Sequence, residues 1–573
     1  MQSGGGPIGE RTISVSGINS RDLGQLLSSV TSPSLGGYYE AESDENNEGV
    51  YEDDDDDDDY FNSAHNVQQW YSPHKEPQPA GLDLLASGDF GRIAVKDRIK
   101  KKKNIAKQLF SGNMKPLDNL HKEDIVSNLI PNTSGTSVAS FSANIYTGQY
   151  STDSSFYYTC GQDFRLHVFD TTSPLDSTLS RRVDAGLNSR MLIRKSVQGR
   201  HGRWTITDAN LSPDNERMIY SSITPTVYMT NVSDDSTGQI PIPFGESSLG
   251  SFDVFGIWSC RFSADGNEVV AGGSGKIFVY DLLANRRTVK IDAHDDDVNS
   301  CCWADTASGN VLVSASDDTF LKVWDRRSLG SSQKPSGVLI GHTEGLTYVS
   351  AKGDGRYIIS NGKDQAMRLW DLRKMRSSQD FEAVRRHFFG VRNFDYRYPV
   401  YPKPRYSAHP KDCSVMTYRG HSVLRTLIRC HFSPAETTGG QYLYSGSADG
   451  RIHIWSLDGT IVQVLDRSKT LPMTFDPSEP EPVSTRGSRN NVCVRDVSWH
   501  SQEPILMSAA WESGHGGSVV ARHEWKGLLK KLRTIEDWQE KQRTEQEDPV
   551  VQRRQYGVRR HFPGSFEDDD DSH

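Results

Sequence analysis

The sequence predicts an all-β fold, a ring of seven four-stranded sheets, on two observations. First, between about residues 137 and 525 a unit of roughly 40 to 50 residues recurs. Each copy alternates apolar and polar residues at period two, and the clearest ones end on a Trp. Second, three copies carry the same four polar residues in the same order, which a chance likeness of apolar pattern would not produce. The two ends of the chain show no such period.

Taken from the N-terminus, residues 1–88 are rich in Gly, Ser, Asn and Asp and read as a disordered acidic region. Between Tyr38 and Tyr60 stand 13 acidic residues and no basic one. Such a block repels itself and stays extended, either as a solvated tail or as a lure for a basic partner. Residues 89–123 are basic and partly helical in pattern. Arg98, Lys100, Lys101, Lys102 and Lys103 form a patch with two readings, a nuclear import signal or the polar face of a helix running from Ile93 to Phe110.

The repeat domain spans residues 124–525. Its clearest copy is AHDDDVNSCCWADTASGNVLVSASDDTFLKVWD, from Ala293 to Asp325. The next is GHTEGLTYVSAKGDGRYIISNGKDQAMRLWD, from Gly341 to Asp371, and a third ends YLYSGSADGRIHIW at Trp455. Counting back from each Trp, an Asp lies six and a Ser ten residues earlier: Trp324 with Asp318 and Ser314, Trp370 with Asp364 and Ser360, Trp455 with Asp449 and Ser445. The matching histidines are His294, His342 and His421. An indole, a hydroxyl, an imidazole and a carboxylate form one hydrogen-bonded chain that satisfies every buried member. These twelve residues therefore read as structural tetrads, and the pattern is that of a seven-bladed WD40 β-propeller. Weaker copies complete the ring. Blade 1 (137–170) keeps Thr159, Asp163 and Phe169 at the matching offsets, blade 2 (204–231) has lost the tetrad, blade 3 (257–281) has a shortened turn, and blade 7 (493–525) replaces the Asp turn by Glu512-Ser513-Gly514-His515-Gly516-Gly517. A propeller must close to leave no open sheet edge, and Asp124 to Ile130 is the expected closing strand. An insertion at 374–418 interleaves aromatic and basic residues. That mix suits single-stranded nucleic acid, a protein partner, or packing along the outside of a blade. Residues 526–573 read as a polar tail.

Several function classes drop out. Seven cysteines without a C-x-x-C pair make neither a disulfide scaffold nor a zinc ribbon. No apolar run reaches the roughly 18 residues of a membrane span, and no secretory leader is read at the N-terminus. There is no Walker A loop, no H-E-x-x-H and no nucleophile elbow; Gly514-His515-Gly516-Gly517 sits in a strand connection. No catalytic residue, metal site or cofactor is expected, and a reducing compartment fits the free thiols.

Two consecutive blades end in Trp-Asp-x-Arg: Trp324-Asp325-Arg326-Arg327 and Trp370-Asp371-Leu372-Arg373. The stretches LVSASDDTFLKVWDRR and IISNGKDQAMRLWDLR resemble the sixteen-residue box of WD40 substrate receptors of cullin-4 RING ubiquitin ligases. Further runs, MTYRGHSVLRTLIRCHFSP, CVRDVSWH, ANRRTVKIDAHDDDVN and Asp395-Tyr396-Arg397, are similar to the eleventh cullin-4-associated factor (WD repeat protein twenty-three) family. The resemblance implies a non-catalytic receptor that presents proteins for ubiquitination. It implies docking to the damage-specific DNA-binding protein large subunit, the adaptor of cullin-4, through Asp325, Arg327, Asp371 and Arg373. A helix before the propeller, for which Ile93 to Phe110 is the candidate, is expected to add to that docking. The alternative is a WD40 scaffold in a chromatin- or RNA-associated complex. Nucleus and cytoplasm are the expected locations, with no membrane contact and no nucleic acid. The protein substrates are not named by the sequence.

Overall fold

The computed structural model describes residues 70–90 and 129–526, apart from 176–180, 185, 201, 203, 233–237, 246, 249–250, 253–254, 306–307, 330–333, 476–491 and 513–516. Seven antiparallel sheets stand in a ring. Strands a to d of blade 3 show the plan: Ile257–Phe262, Glu268–Gly273, Lys276–Asp281 and Arg286–Asp292. The three inner strands are largely buried on both faces, because a neighbouring blade packs on each side. The outermost strand alternates, because one face meets solvent. Blades 4, 5 and 6 begin at Val298–Trp303, Leu346–Ala351 and Cys430–Phe432, and blades 1 and 2 at Ile145–Tyr150 and Ile206–Leu211.

Each junction between blades is an apolar layer. Val270, Ile277 and Val279 of blade 3 meet Cys301, Leu312 and Trp324 of blade 4, and equivalent layers join the other pairs around the whole ring. All seven cysteines are buried free thiols in or beside these layers. Strand-to-strand bonds near the axis add to the layers: Cys301 N–H to Ser259 Oγ (3.2 Å) and Thr347 Oγ to the Ile428 carbonyl (2.9 Å).

The ring closes differently from expectation. Thr136–Phe141, not residues 124–130, forms the outer strand of blade 7, pairing antiparallel with Gly517–Glu524. Gly517 is required there, since a Cβ would sit 2.0 Å from the Phe141 carbonyl oxygen. Blade 1 consequently begins at Ile145. Both stretches carry apolar residues, but only 136–141 directly precedes the first inner strand, so a short turn leads from the last blade into the first. Ile130 instead packs in the layer between blades 6 and 7, and residues 124–128 lie outside the described residues. A hairpin of Arg181–Asp184 and Leu187–Ser189 extends the same sheet outward.

Part of the expected disordered region is ordered. Residues 70–90 form a strap in the groove between blades 5 and 6, with a helix at Pro79–Ala86 started by its proline. The Gln78 N–H donates to the Asp458 carbonyl (2.8 Å). Gly81 is needed for the close approach, its absent Cβ falling 2.4 Å from Asp458 Cα. Leu84 and Phe90 join Tyr357, Tyr418, Trp455 and Leu457 in one core. Eight residues of helix gave too short a period to register against the polar sequence around them. Residues 91–128, with the Lys patch and the candidate helix, and the tail from 527 lie outside the described residues.

Candidate functional site

Because strands alternate in direction, the a–b and c–d turns of every blade share one face, here called lower. The b–c turns and the links to the next blade share the upper one.

On the upper side the structure brings two tetrads together. In blade 4, Trp324 Nε1 donates to Ser314 Oγ (3.0 Å), Ser314 Oγ lies 2.7 Å from His294 Nε2, and His294 Nδ1 lies 2.7 Å from Asp318. Blade 5 repeats this with Trp370, Ser360, His342 and Asp364 at 2.8, 2.8 and 2.9 Å. Since each indole donates to the hydroxyl, the hydroxyl proton points to Nε2, and Nδ1 carries the proton given to the carboxylate. Burial pushes both imidazoles below their ordinary pKa, with the aspartates opposing. Burial alone would raise Asp364, yet His342, Arg368 and Arg419 hold it below the usual carboxylate range.

The third set does not assemble. His421 Nε2 bonds Asn361 Oδ1 of blade 5 (3.0 Å), and Asn361 Nδ2 donates to Ser445 Oγ (2.9 Å). The asparagine of the neighbouring blade thus inserts itself between histidine and serine. Trp455 Nε1 donates to the Arg419 carbonyl instead (3.1 Å), and Asp449 accepts from the Arg451 N–H of its own turn (3.1 Å).

The axis is pinned by buried charges. Arg429 lies 2.8 Å from Asp208 and 3.4 Å from Asp496, Arg261 also pairs with Asp208, and His431 lies 3.3 Å from Asp496. Burial would raise Asp496, but Arg429 and then His431 hold it down. Arg429 and Arg261 each face an aspartate of another blade, so neither guanidinium is left uncompensated.

The Trp-Asp-x-Arg motifs lie at the starts of the c–d turns, on the lower face. Asp325 Oδ1 accepts from the N–H (3.0 Å) and Nε–H (2.9 Å) of Arg327, and its Oδ2 from Nη2 (2.7 Å). Asp371 clasps Arg373 identically, at 3.0, 3.1 and 2.7 Å. The clasp uses one edge of each guanidinium. The side chains remain 70% and 65% exposed, with the rest of the donor fork facing water. The Arg327 bond holds Asp325 below its ordinary pKa. The Gly355 N–H donates to the Ala304 carbonyl (3.0 Å), stitching blades 4 and 5 together on this same face, so both arginines belong to one surface.

Two contributors here have no sequence signal. Arg356 reaches both Asp371 (3.2 Å) and Asp89 at the end of the strap (2.5 Å), and Tyr357 OH donates to Asp89 (2.9 Å). The strap therefore ends beside the second motif.

The insertion at 374–418 leaves this face, and Arg376 pairs with the outer strand of blade 4 at Val338. Phe381 then packs edge-on against Phe320 (5.0 Å), and Arg385 pairs with Asp295 (2.6 Å) on the upper side. Phe394 packs on Tyr401 (5.0 Å), and Lys363 lies 4.0 Å over Tyr396. Asp395 clasps Arg397 in the same Asp-x-Arg manner (2.6 Å), but on the upper side, away from Arg327 and Arg373. Phe388 and Tyr398 keep their rings exposed.

Fold and repeats define a WD40-repeat propeller. The family model described as "WD domain, G-beta repeat" matches residues 247–281, 285–325, 333–371 and 412–456, which are blades 3 to 6. The chain is 37% identical over 412 residues to the "LEC14B homolog" of Prunus armeniaca and 37% over 417 residues to the "LEC14B protein" of Lithospermum erythrorhizon. Both matches cover 70% of this chain and 77% of the relative. The chain belongs to the LEC14B family. It is also 34% identical over 314 residues to the "DDB1- and CUL4-associated factor 11 homolog" of Caenorhabditis elegans, covering 54% of this chain and 51% of that one.

Proposed function

We propose that this protein is a non-catalytic substrate receptor of a cullin-4 RING ubiquitin ligase, present in nucleus and cytoplasm. It docks the adaptor, the damage-specific DNA-binding protein large subunit, with its lower face and presents target proteins for ubiquitination. The observation that carries the reading is the pair of clasped arginines, Arg327 and Arg373, standing exposed on adjacent blades of one face. A guanidinium with one edge held by its own aspartate is already oriented, so less rotamer entropy is lost when the other edge meets a carboxylate. The name of the nematode relatives points the same way.

Co-precipitation of the full chain tests it. The wild type is expected to capture the adaptor and cullin-4, and Arg327→Ala with Arg373→Ala to lose capture by more than about tenfold, as two charge-assisted contacts imply. A wild type that captures neither defeats the receptor reading. Undiminished capture by the double variant defeats the docking rim.

A further inference from the structure

The turn that presents Arg327 and Arg373 occurs once more beside them, in blade 3, with different chemistry at its tip. Asp281 Oδ1 accepts from the Leu283 N–H at 2.9 Å, as Asp325 and Asp371 accept from Arg327 and Arg373 at 3.0 Å. The intervening residue donates its N–H back across the blade in all three: Leu282 to the Asn267 carbonyl (2.9 Å), Arg326 to that of Asn310 (3.0 Å), Leu372 to that of Arg356 (2.9 Å). That residue turns inward each time. Leu282 packs on the blade 3 core, Leu372 is buried, and Arg326 pairs with Glu268 of blade 3. Glu268 is the register partner of Asp281, so this ion pair ties the blade 4 turn to the blade 3 turn.

The next residue turns outward each time. Leu283 is 80% exposed, the most exposed large apolar side chain among the described residues. Blade 1 uses the same turn, with the Thr172 N–H donating to Asp170 (2.9 Å), and places a small polar residue at its tip. A leucine in that place gains nothing from the turn, whose bonds come from the aspartate and the backbone, and it exposes its whole side chain to water.

We infer that Leu283 is a third anchor of the docking rim, an apolar knob continuing the line of Arg373 and Arg327 onto blade 3. The inference rests on the receptor reading. It commits to the same occupant, the adaptor, whose surface would then carry acidic groups for two arginines and, one blade further, an apolar socket. A buried knob flanked by charge-assisted contacts is how a few residues come to dominate an interface.

Adaptor capture by the full chain is compared for wild type, Leu283→Asp, Leu283→Met, Ile240→Asp and Arg327→Ala with Arg373→Ala. Ile240 is the control, exposed on the outer strand of blade 2. Leu283→Asp is expected to weaken capture about tenfold or more, since a socket that buries a leucine would bury an unpaired charge. Leu283→Met and Ile240→Asp are expected to stay within twofold of wild type, and the melting curve of Leu283→Asp to match wild type. Normal capture by Leu283→Asp alongside loss in the arginine variant overturns the inference and leaves the receptor reading standing. Loss in Leu283→Met or Ile240→Asp equal to that in Leu283→Asp also overturns it. Failure of the wild type to capture the adaptor overturns both.

Discussion

Blades 4 and 5 and blade 6 carry the same four polar residues in the same order, with Asp and Ser at the same offsets from the Trp, yet only the first two assemble them. The difference begins two residues before the Trp. Blades 4 and 5 have cations there, Lys322 and Arg368, 3.9 and 3.8 Å from the tetrad aspartate. Blade 6 has His453, which stacks on Trp455 with ring centroids 5.5 Å apart, and the cation near its Asp449 is Arg451 of its own turn, at 3.9 Å. Its histidine then finds Asn361 across the blade junction, and both His421 Nδ1 and His453 Nδ1 are left without a hydrogen-bond partner. A tetrad therefore needs more than its four members. The cation beside the carboxylate must stand two residues before the Trp, and no neighbouring amide may compete for the imidazole.

Serine deletion sharpens this contrast most. Ser360 accepts from Trp370 and bonds His342, so Ser360→Ala leaves two fully buried polar groups without partners and is expected to cost roughly 3 kcal/mol. Ser445→Ala removes the contact from Asn361 and the single hydroxyl proton shared between the carbonyls of Arg429 and Gly446, leaves no imidazole or indole unpaired, and is expected to cost about 1 kcal/mol. Urea unfolding of the two variants checks the ranking. Equal losses would mean that blade 6 relies on its serine as blade 5 does.

The pH dependence separates the blades next. Burial pushes His453 down to about 3, and burial and then His453 push His421 to about 3, from an ordinary 6.5. Between those values the unfolded chain binds protons that the fold does not, so stability falls as pH drops from about 6.5 towards 3. One such histidine loses about 2 kcal/mol between pH 7 and pH 5. His453→Phe keeps a ring on Trp455 and removes one proton-binding site from the unfolded chain. Its loss between pH 7 and pH 5 is expected to be smaller than wild type by that amount, read from denaturant midpoints at the two pH values. An unchanged pH response would place the acid sensitivity elsewhere.

The repeat, the blade count and the positions of Asp325, Arg327, Asp371 and Arg373 in their blades were legible in the sequence, because period-two alternation and fixed offsets from a Trp are local signals. What was not legible is what depends on neighbours distant along the chain. Asn361 lies 60 residues from the imidazole it captures. The closing strand at Thr136–Phe141 is marked less by its own pattern than by its partner, Gly517–Glu524, almost 400 residues on. The strap helix is held by Leu457 and Asp458, not by any pattern of its own. The place of Leu283 is a local signal too: the Asp-x-Leu offset in blade 3 matches the Asp-x-Arg offset of blades 4 and 5.

The smallest expected effect divides the two Asp-x-Arg rims themselves. In blade 4 the place of Arg356 is taken by Asn310, so Asp325 serves Arg327 without a rival cation there. In blade 5, Asp371 accepts from both Arg373 and Arg356, and Arg356 is drawn outward by Asp89 of the strap. Asp89→Asn leaves Arg356 only one carboxylate, pulling Asp371 away from Arg373. The Asp89 and Arg356 side chains are 33% and 27% exposed, so solvent and salt screen the pair and the change in fold stability should stay below about 1 kcal/mol. Adaptor capture is the finer readout. Asp89→Asn is expected to lower it about twofold in the wild type and in an Arg327→Ala background, and not at all in an Arg373→Ala background, because only Arg373 shares its aspartate with the strap's partner. Equal coupling of Asp89 to both arginines would show that the strap supports the lower face as a whole, not the blade 5 motif in particular.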